Sequence, residues 1–145
     1  MAKIIRVDVS RCMGCRQCVV ECAMAHTEAH SFVDAISAGA RSRVYLKDSG
    51  EHGMPMQCKH CKKMRCAEAC PEEAISRASD DAPVLIDYEK CVSCKQCVEA
   101  CPFGAMLVTS DGNTVVKCDL CIERTSQGQE PACVAGCPTG ALRFE

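Results

Sequence analysis

The stretch Cys91-Val92-Ser93-Cys94-Lys95-Gln96-Cys97-Val98-Glu99-Ala100-Cys101-Pro102 decides the fold. Its cysteines read C-x2-C-x2-C-x3-C-P. Thiols at i, i+3 and i+6 let a short loop wrap three corners of one compact inorganic centre. The fourth thiol, three residues farther along a helix, points away toward a second centre. The same run stands at Cys12, Cys15, Cys18 and Cys22, with Ala23 in place of the proline. Two variants complete the set. Cys58, Cys61, Cys66 and Cys70-Pro71 have one longer gap, and Cys118, Cys121, Cys133 and Cys137-Pro138 a still longer one. A motif that returns four times is the organising repeat of the chain.

Composition agrees with that emphasis. Sixteen of 145 residues are cysteine, beyond the roughly 8–10% at which cysteine alone sets the class of a short chain. There is no Trp, and there are two Tyr and three Phe. Such a chain has too few large side chains for an ordinary core, so inorganic centres or cross-links must fill its middle. A large α/β enzyme, a coiled coil and a β-sandwich are excluded. The first residues, Met1-Ala2-Lys3-Ile4-Ile5-Arg6, lack a secretory or twin-arginine pattern, and no apolar run reaches bilayer length. A cytoplasmic location is expected. In a reducing compartment the cysteines then mean metal ligation and not disulfides. The net charge of −2 points to no polyanionic partner.

Between the runs, short strands alternate with turns. Ile4 to Val9 leads into the first run, Val84 to Asp87 into the third and Thr114 to Lys117 into the fourth. Asp111-Gly112-Asn113 is a hairpin turn signal. Cys70-Pro71-Glu72-Glu73-Ala74-Ile75, Cys101-Pro102-Phe103-Gly104-Ala105-Met106 and Cys137-Pro138-Thr139-Gly140-Ala141-Leu142 are parallel helix-to-strand exits. The 20-residue gap between Cys70 and Cys91 is ferredoxin-like; the 35-residue gap between Cys22 and Cys58 is not. Runs two and three therefore read as one two-cluster unit, which leaves runs one and four to form another. The expected fold is α+β, two bacterial-ferredoxin-like units, one nested inside the other: residues 58–101 inside, residues 1–57 plus 102–145 outside, with an insertion over 23–57. Exchange of the fourth cysteines gives four sites, Cys12/Cys15/Cys18/Cys137, Cys22/Cys118/Cys121/Cys133, Cys58/Cys61/Cys66/Cys101 and Cys70/Cys91/Cys94/Cys97. Sequential pairing, run one with two and three with four, is the competing scheme.

The insertion reads as a helix continuing from Glu21 to Ser31, a strand over Arg43 to Leu46 and a turn over Asp48 to Glu51. It is either a contact loop or a cover over a cluster. Ile122 to Ala132 reads as an exposed flap. Met13, Met24, Met64 and Met106 are expected to pack against clusters. Lys59, Lys62, Lys63 and Arg65 surround the second run, as a docking patch for an acidic partner or as cations balancing an anionic cluster. His26, His30, His52 and His60 form no regular ligand pattern; His60 reads as a cluster neighbour. Zinc is the alternative occupant, in a structural or regulatory protein, but zinc prefers two C-x2-C pairs and has no use for thiols at i+6 and i+10. No catalytic residue is expected: there is no Ser-His-Asp set, phosphate loop or flavin fingerprint.

These motifs resemble the iron–sulfur subunits of the dimethyl sulfoxide reductase family, over essentially the whole chain. Cys58-Lys59-His60-Cys61 through Cys66-Ala67-Glu68-Ala69-Cys70-Pro71 resembles its C-x-H-C-x4-C-x3-C-P segment, with Met64-Arg65 where Pro-Pro is usual. Lys117-Cys118-Asp119-Leu120-Cys121 resembles its K-C-D-x-C opening. The resemblance implies four [4Fe–4S] clusters, the nested ligand exchange, and a non-catalytic electron-transfer role beside a redox enzyme. Cys22-Ala23-Met24-Ala25-His26 is most similar to the short branch that serves carbon monoxide dehydrogenase. Subunits of tungsten or molybdenum aldehyde oxidoreductases, formate dehydrogenases and hydrogenases are close rivals. A second electron carrier or enzyme would complete the circuit, with no nucleic acid and no membrane span.

Overall fold

The computed structural model describes residues 3–27, 31–48, 53–109 and 111–145. In chain order it contains β1 (Ile5–Val7), α1 (Gln17–Ala25), α2 (Phe32–Ser37), β2 (Tyr45–Asp48), β3 (Gly53–Met56), α3 (Arg65–Ala69) and β4 (Ile75–Ser76). There follow β5 (Leu85–Ile86), α4 (Gln96–Ala100), β6 (Leu107–Val108), β7 (Val115–Val116), α5 (Ile122–Thr125), α6 (Ala132–Ala135) and β8 (Leu142–Phe144). It is a small α+β fold. The strands form antiparallel pairs, β1 with β8, β2 with β3, β4 with β5 and β6 with β7. The first pair joins sequence-distant ends, Ile5 opposite Phe144 and Val7 opposite Leu142. No helix among the described residues is long and apolar enough to cross a membrane.

Proline decides where most of the cysteine-bearing helices stop. A residue that precedes proline is driven out of helical backbone, so Cys70 and Cys101 sit in extended conformation as the caps of α3 and α4. Cys137-Pro138 likewise follows the end of α6 at Ala135. Cys22 has Ala23 after it, and α1 runs on for another turn to Ala25. It does not continue to Ser31 as expected. The His26 ring turns back and its Nδ1 lies 2.8 Å from the Cys22 carbonyl oxygen, which closes the helix end. A separate helix, α2, begins after Ser31, whose hydroxyl accepts from the Asp34 N–H.

Two cores result. Ile5, Val44, Leu120, Val134 and Leu142 pack around Cys18, Cys22, Cys118 and Cys133. Ile75, Val84, Met106 and Val115 pack around Cys97, with Cys66, Cys70, Cys91 and Cys101 partly buried against them. In the first core α1 packs on α6; in the second α3 packs on α4. Thiols thus occupy positions that large aliphatic side chains fill elsewhere.

Other expectations need amendment. The inserted strand is β2, which starts at Tyr45, and β3 pairs with it, Tyr45 opposite Met56. Most of the turn expected over Asp48 to Glu51 lies outside the described residues. The expected flap contains α5, and Arg124 Nε donates to the Glu130 carbonyl at 2.9 Å, tying that loop shut. Its far end is not exposed: Pro131 and Ala132 are buried. Met106 is buried and Met64 packs against the second core; Met13, 62% exposed on the Cys12–Cys15 loop, borders the pocket lined by Cys12, Cys15, Cys18 and Cys137.

Ala23 lies inside α1 and is buried. The Ala23→Pro substitution should cost roughly 3 kcal/mol, the usual penalty for proline within a helix, seen as a lower denaturation midpoint of the anaerobic protein. An unchanged midpoint would contradict the account of where α1 ends.

Candidate cluster sites

Twelve of the sixteen thiols line three pockets, four to each. Cys12, Cys15, Cys18 and Cys137 line one narrow pocket. Cys70, Cys91, Cys94 and Cys97 line a second. Cys58, Cys61, Cys66 and Cys101 line a cavity of about 370 Å³ that Lys59, Lys63, Arg65 and Phe103 also border. Cys22, Cys118 and Cys133 meet in the first core, and Cys133 feels the charge of Cys118, Cys22 and Cys121.

Left-handed backbone shapes the loops. Arg16 and Lys95 (φ 63° and 66°) immediately precede α1 and α4, in the matching stretches Cys15-Arg16-Gln17-Cys18 and Cys94-Lys95-Gln96-Cys97. Each Cys-Pro exit is a second recurrent device. Three residues after the cysteine stands a residue with positive φ: Glu73 (53°), Gly104 (62°) or Gly140 (68°). That turn sends the next N–H back to the sulfur, Ala74 N to Cys70 Sγ at 3.4 Å and Ala105 N to Cys101 Sγ at 3.4 Å. At Cys137 burial raises the thiol pKa, but N–H groups of Leu142, Thr139 and Ala141 and the Thr139 hydroxyl outweigh it and lower the value. The alanine after each turn is fully packed: Ala74 1%, Ala105 2% and Ala141 1% exposed. The signal C-P-x-x-A was legible as an exit; the hydrogen bond it makes was not read from it.

Cys22 has no such turn, since Ala23 continues the helix. Its N–H donor comes from the insertion: Arg43 N donates to Cys22 Sγ at 3.2 Å. His26 Nδ1 lies 3.7 Å from the same sulfur. His26 Nε2 lies 3.2 Å from Asp119 Oδ1, and Arg43 Nη1 lies 3.4 Å from Asp119 Oδ2. Burial pulls the His26 pKa down, but Asp119 and Cys22 outweigh it and raise the value to about 10. Burial likewise raises Cys22, and the His26 contact overcomes it, so that the thiol pKa falls. Nothing in the spacing pointed to Arg43 or Asp119 as neighbours of Cys22. His60 is a neighbour as expected: its backbone N–H donates to Cys58 Sγ at 3.4 Å, and its Nδ1 accepts from Val84 N at 3.0 Å. His30 and His52 lie outside the described residues.

The donor chemistry selects the occupant. Burial, and then the charge of neighbouring thiols, pushes Cys18 up to about 11, Cys97 up to about 11 and Cys118 up to about 12, and raises Cys133 as well. Thiolates at these positions need a bound cationic centre to offset their desolvation and mutual repulsion. As they stand, the thiols are not set for a single tetrahedral ion. Metal–sulfur bonds of about 2.3 Å put the sulfurs of a zinc site roughly 3.8 Å apart. The trio of potential ligand atoms within 4.8 Å among the described residues is His26, Asp119 and Cys121, and no three thiols lie that close. That trio is internally paired and bordered by the Arg43 cation. Wider tetrads of soft thiolates suit a polynuclear iron–sulfur centre.

Fold and sites together define an iron–sulfur protein of the ferredoxin kind. The family described as "4Fe-4S dicluster domain" matches residues 52–145 and that described as "4Fe-4S binding domain" residues 9–25. The chain belongs to the 4Fe-4S dicluster family. An "Iron-sulfur protein" of Rhodospirillum rubrum is 40% identical over 97% of this chain and 80% of its own length. "Electron transport protein HydN" of Escherichia coli strain K12 is 35% identical over 98% of this chain and 87% of its own. "Formate dehydrogenase iron-sulfur subunit" of Haemophilus influenzae is 34% identical over 99% of this chain, which spans 51% of that subunit. Among solved structures, the active site complex BamBC of benzoyl coenzyme A reductase contains a chain of the same fold, with TM-score 0.52, 24% identity, and coverage of 99% of this chain and 79% of that one. The names of these relatives are consistent with an electron-transfer role.

Reconstitution offers a direct check on the occupant. Supplied anaerobically with ferrous iron and sulfide, the protein should take up both in equal amounts. Uptake of zinc in their place, with no sulfide retained, would contradict the argument.

Proposed function

We propose that the sixteen cysteines hold four [4Fe–4S] clusters and that the chain conducts single electrons between a catalytic redox enzyme and a second carrier. The ligand sets of this reading are Cys12/Cys15/Cys18/Cys137, Cys22/Cys118/Cys121/Cys133, Cys58/Cys61/Cys66/Cys101 and Cys70/Cys91/Cys94/Cys97. Each cluster, when bound, takes up and gives back one electron. The chain's own part is to place the thiolates, to aim N–H donors at them and to keep water from the buried sulfurs.

The observation that carries the reading is the sequence of contacts between sets. Cys18 and Cys58 pack with Cys118 and Cys133 in the first core, and Cys66 and Cys101 pack with Cys97 and Cys91 in the second. Those contacts support a row in which the Cys12 set is followed by the Cys118 set, the Cys58 set and the Cys91 set. Cys15 and Cys94, in the two outermost sets, are exposed. Each stands beside an exposed apolar residue, Met13 at 62% and Val92 at 63%, which suits contact with a redox partner. The β1–β8 pair and the packing of α1 on α6 and α3 on α4 support the nested division. In it the inner unit runs beyond residue 101, because Met106 and Val115 belong to the second core.

For the enzyme served, the relatives' names favour a formate dehydrogenase; they lend nothing to the carbon monoxide dehydrogenase suggested by Cys22-Ala23-Met24-Ala25-His26. A cytoplasmic site of action suits sixteen thiols that must stay reduced until loaded.

Anaerobically purified protein should be brown, bleach with dithionite and hold roughly sixteen irons, four per cluster. Ligand pairing is tested by non-additivity. Cys22→Ser and Cys121→Ser together should remove no more iron than either alone, whereas Cys22→Ser with Cys61→Ser should remove two sites' worth. The reverse pattern would establish sequential pairing, and a colourless zinc protein would end the reading.

A further inference from the structure

Lys117 is 3% exposed, the most deeply buried cation among the described residues. It sits directly before Cys118 and also lines the cavity bounded by Cys58, Cys61, Cys66 and Cys101. Its Nζ donates to the carbonyl oxygens of Val84 and, at 2.9 Å, of Cys118. Among the described residues no carboxylate pairs with it. Burying an ammonium without a counter-ion is costly, and two carbonyl dipoles satisfy its hydrogen-bonding without neutralising its charge. Lys117 therefore stands at the boundary of two thiol sets, on the wall of the cavity that holds Cys66 and next in the chain to Cys118. His60 sits beside it, its Nδ1 accepting from the Val84 N–H at 3.0 Å, and the Arg77 guanidinium donates to the His60 carbonyl oxygen at 2.8 Å.

On the reading that these sets hold clusters, we propose that Lys117 is a tuning cation shared by the two interior sites, holding their reduction potentials above the values they would have without its charge. The physics is one-signed. Thiolate-ligated clusters are anionic and gain one further negative charge on reduction. A fixed cation in a low-dielectric setting therefore stabilises the reduced state more than the oxidised one. Cys15 and Cys94, in the outer sets, are exposed, and Lys117 borders neither of the pockets that those two sets line. The effect should be confined to the middle of the row.

The test is an EPR-monitored redox titration of the anaerobic full-length protein as wild type, Lys117→Met, Lys117→Gln and Lys117→Arg. In the two neutral variants, two of the four reduction waves should move to lower potential by at least a tenfold change in the reduction equilibrium, which for one electron is about 59 mV. The other two should stay in place, and Lys117→Arg should keep all four near the wild-type values. Unmoved waves, or four waves moving together, would overturn the inference while leaving the four-cluster reading intact. Neutral variants that fold but hold fewer clusters would also overturn it, since a tuning charge is dispensable for assembly. A wild-type protein without four cluster signals would overturn the underlying reading itself.

Discussion

Sixteen thiols are brought together in a chain with hardly any aromatic side chains, and their mutual repulsion is the constraint on which the rest depends. Buried thiolates are unfavourable twice over, through desolvation and through their neighbours' charge, and the raised values at Cys18, Cys97, Cys118 and Cys133 record both. An inorganic cationic centre relieves the repulsion and fills the volume. The same centres therefore complete the core and carry the electron. The two-residue strands and helices of four to nine residues are too short to be stable alone; they act as spacers that fix where sulfurs sit.

Backbone N–H groups supply the finer control. At Cys70 and Cys101 the donor arrives from four residues downstream, through a Cys-Pro turn with a left-handed residue in it. At Cys22 the turn is missing and the insertion provides the equivalent from Arg43, with His26 and Asp119 alongside. The insertion is thereby bound into the architecture and is more than a cover. Tyr45 in β2 extends the same tie by donating from its hydroxyl toward the carbonyls of Phe103 and Gly104 at 3.3 Å. Gly104 could not take a side chain easily: its φ is positive, and a Cβ there would lie 3.3 Å from that hydroxyl.

Much of this was legible from local pattern. C-x2-C-x2-C fixes a loop because three thiols must face one centre, and Cys-Pro fixes a helix end because proline bars helical backbone before it. The alternation of apolar residues placed β1, β5, β7 and β8, with ends misjudged by a residue or two. What escaped had no periodic signature. The α2 helix and the β3 partner of β2 were not read, although Ser31 caps α2 locally. The extent of α1 depended on one side chain, His26, turning back onto Cys22. The burial of Lys117 was hidden because lysine before a cysteine run reads equally well as a solvated cation.

The central claim is that the thiol sets hold separate centres close enough in a row to exchange electrons. Pulsed EPR of the fully reduced protein measures this most directly, through the magnetic interaction between neighbouring paramagnetic clusters. The account predicts spectra broadened and split by neighbours, relaxing faster than any isolated cluster, and simplifying as the protein is partly reoxidised. Four sharp, independent spectra whose shapes do not depend on the degree of reduction would contradict it.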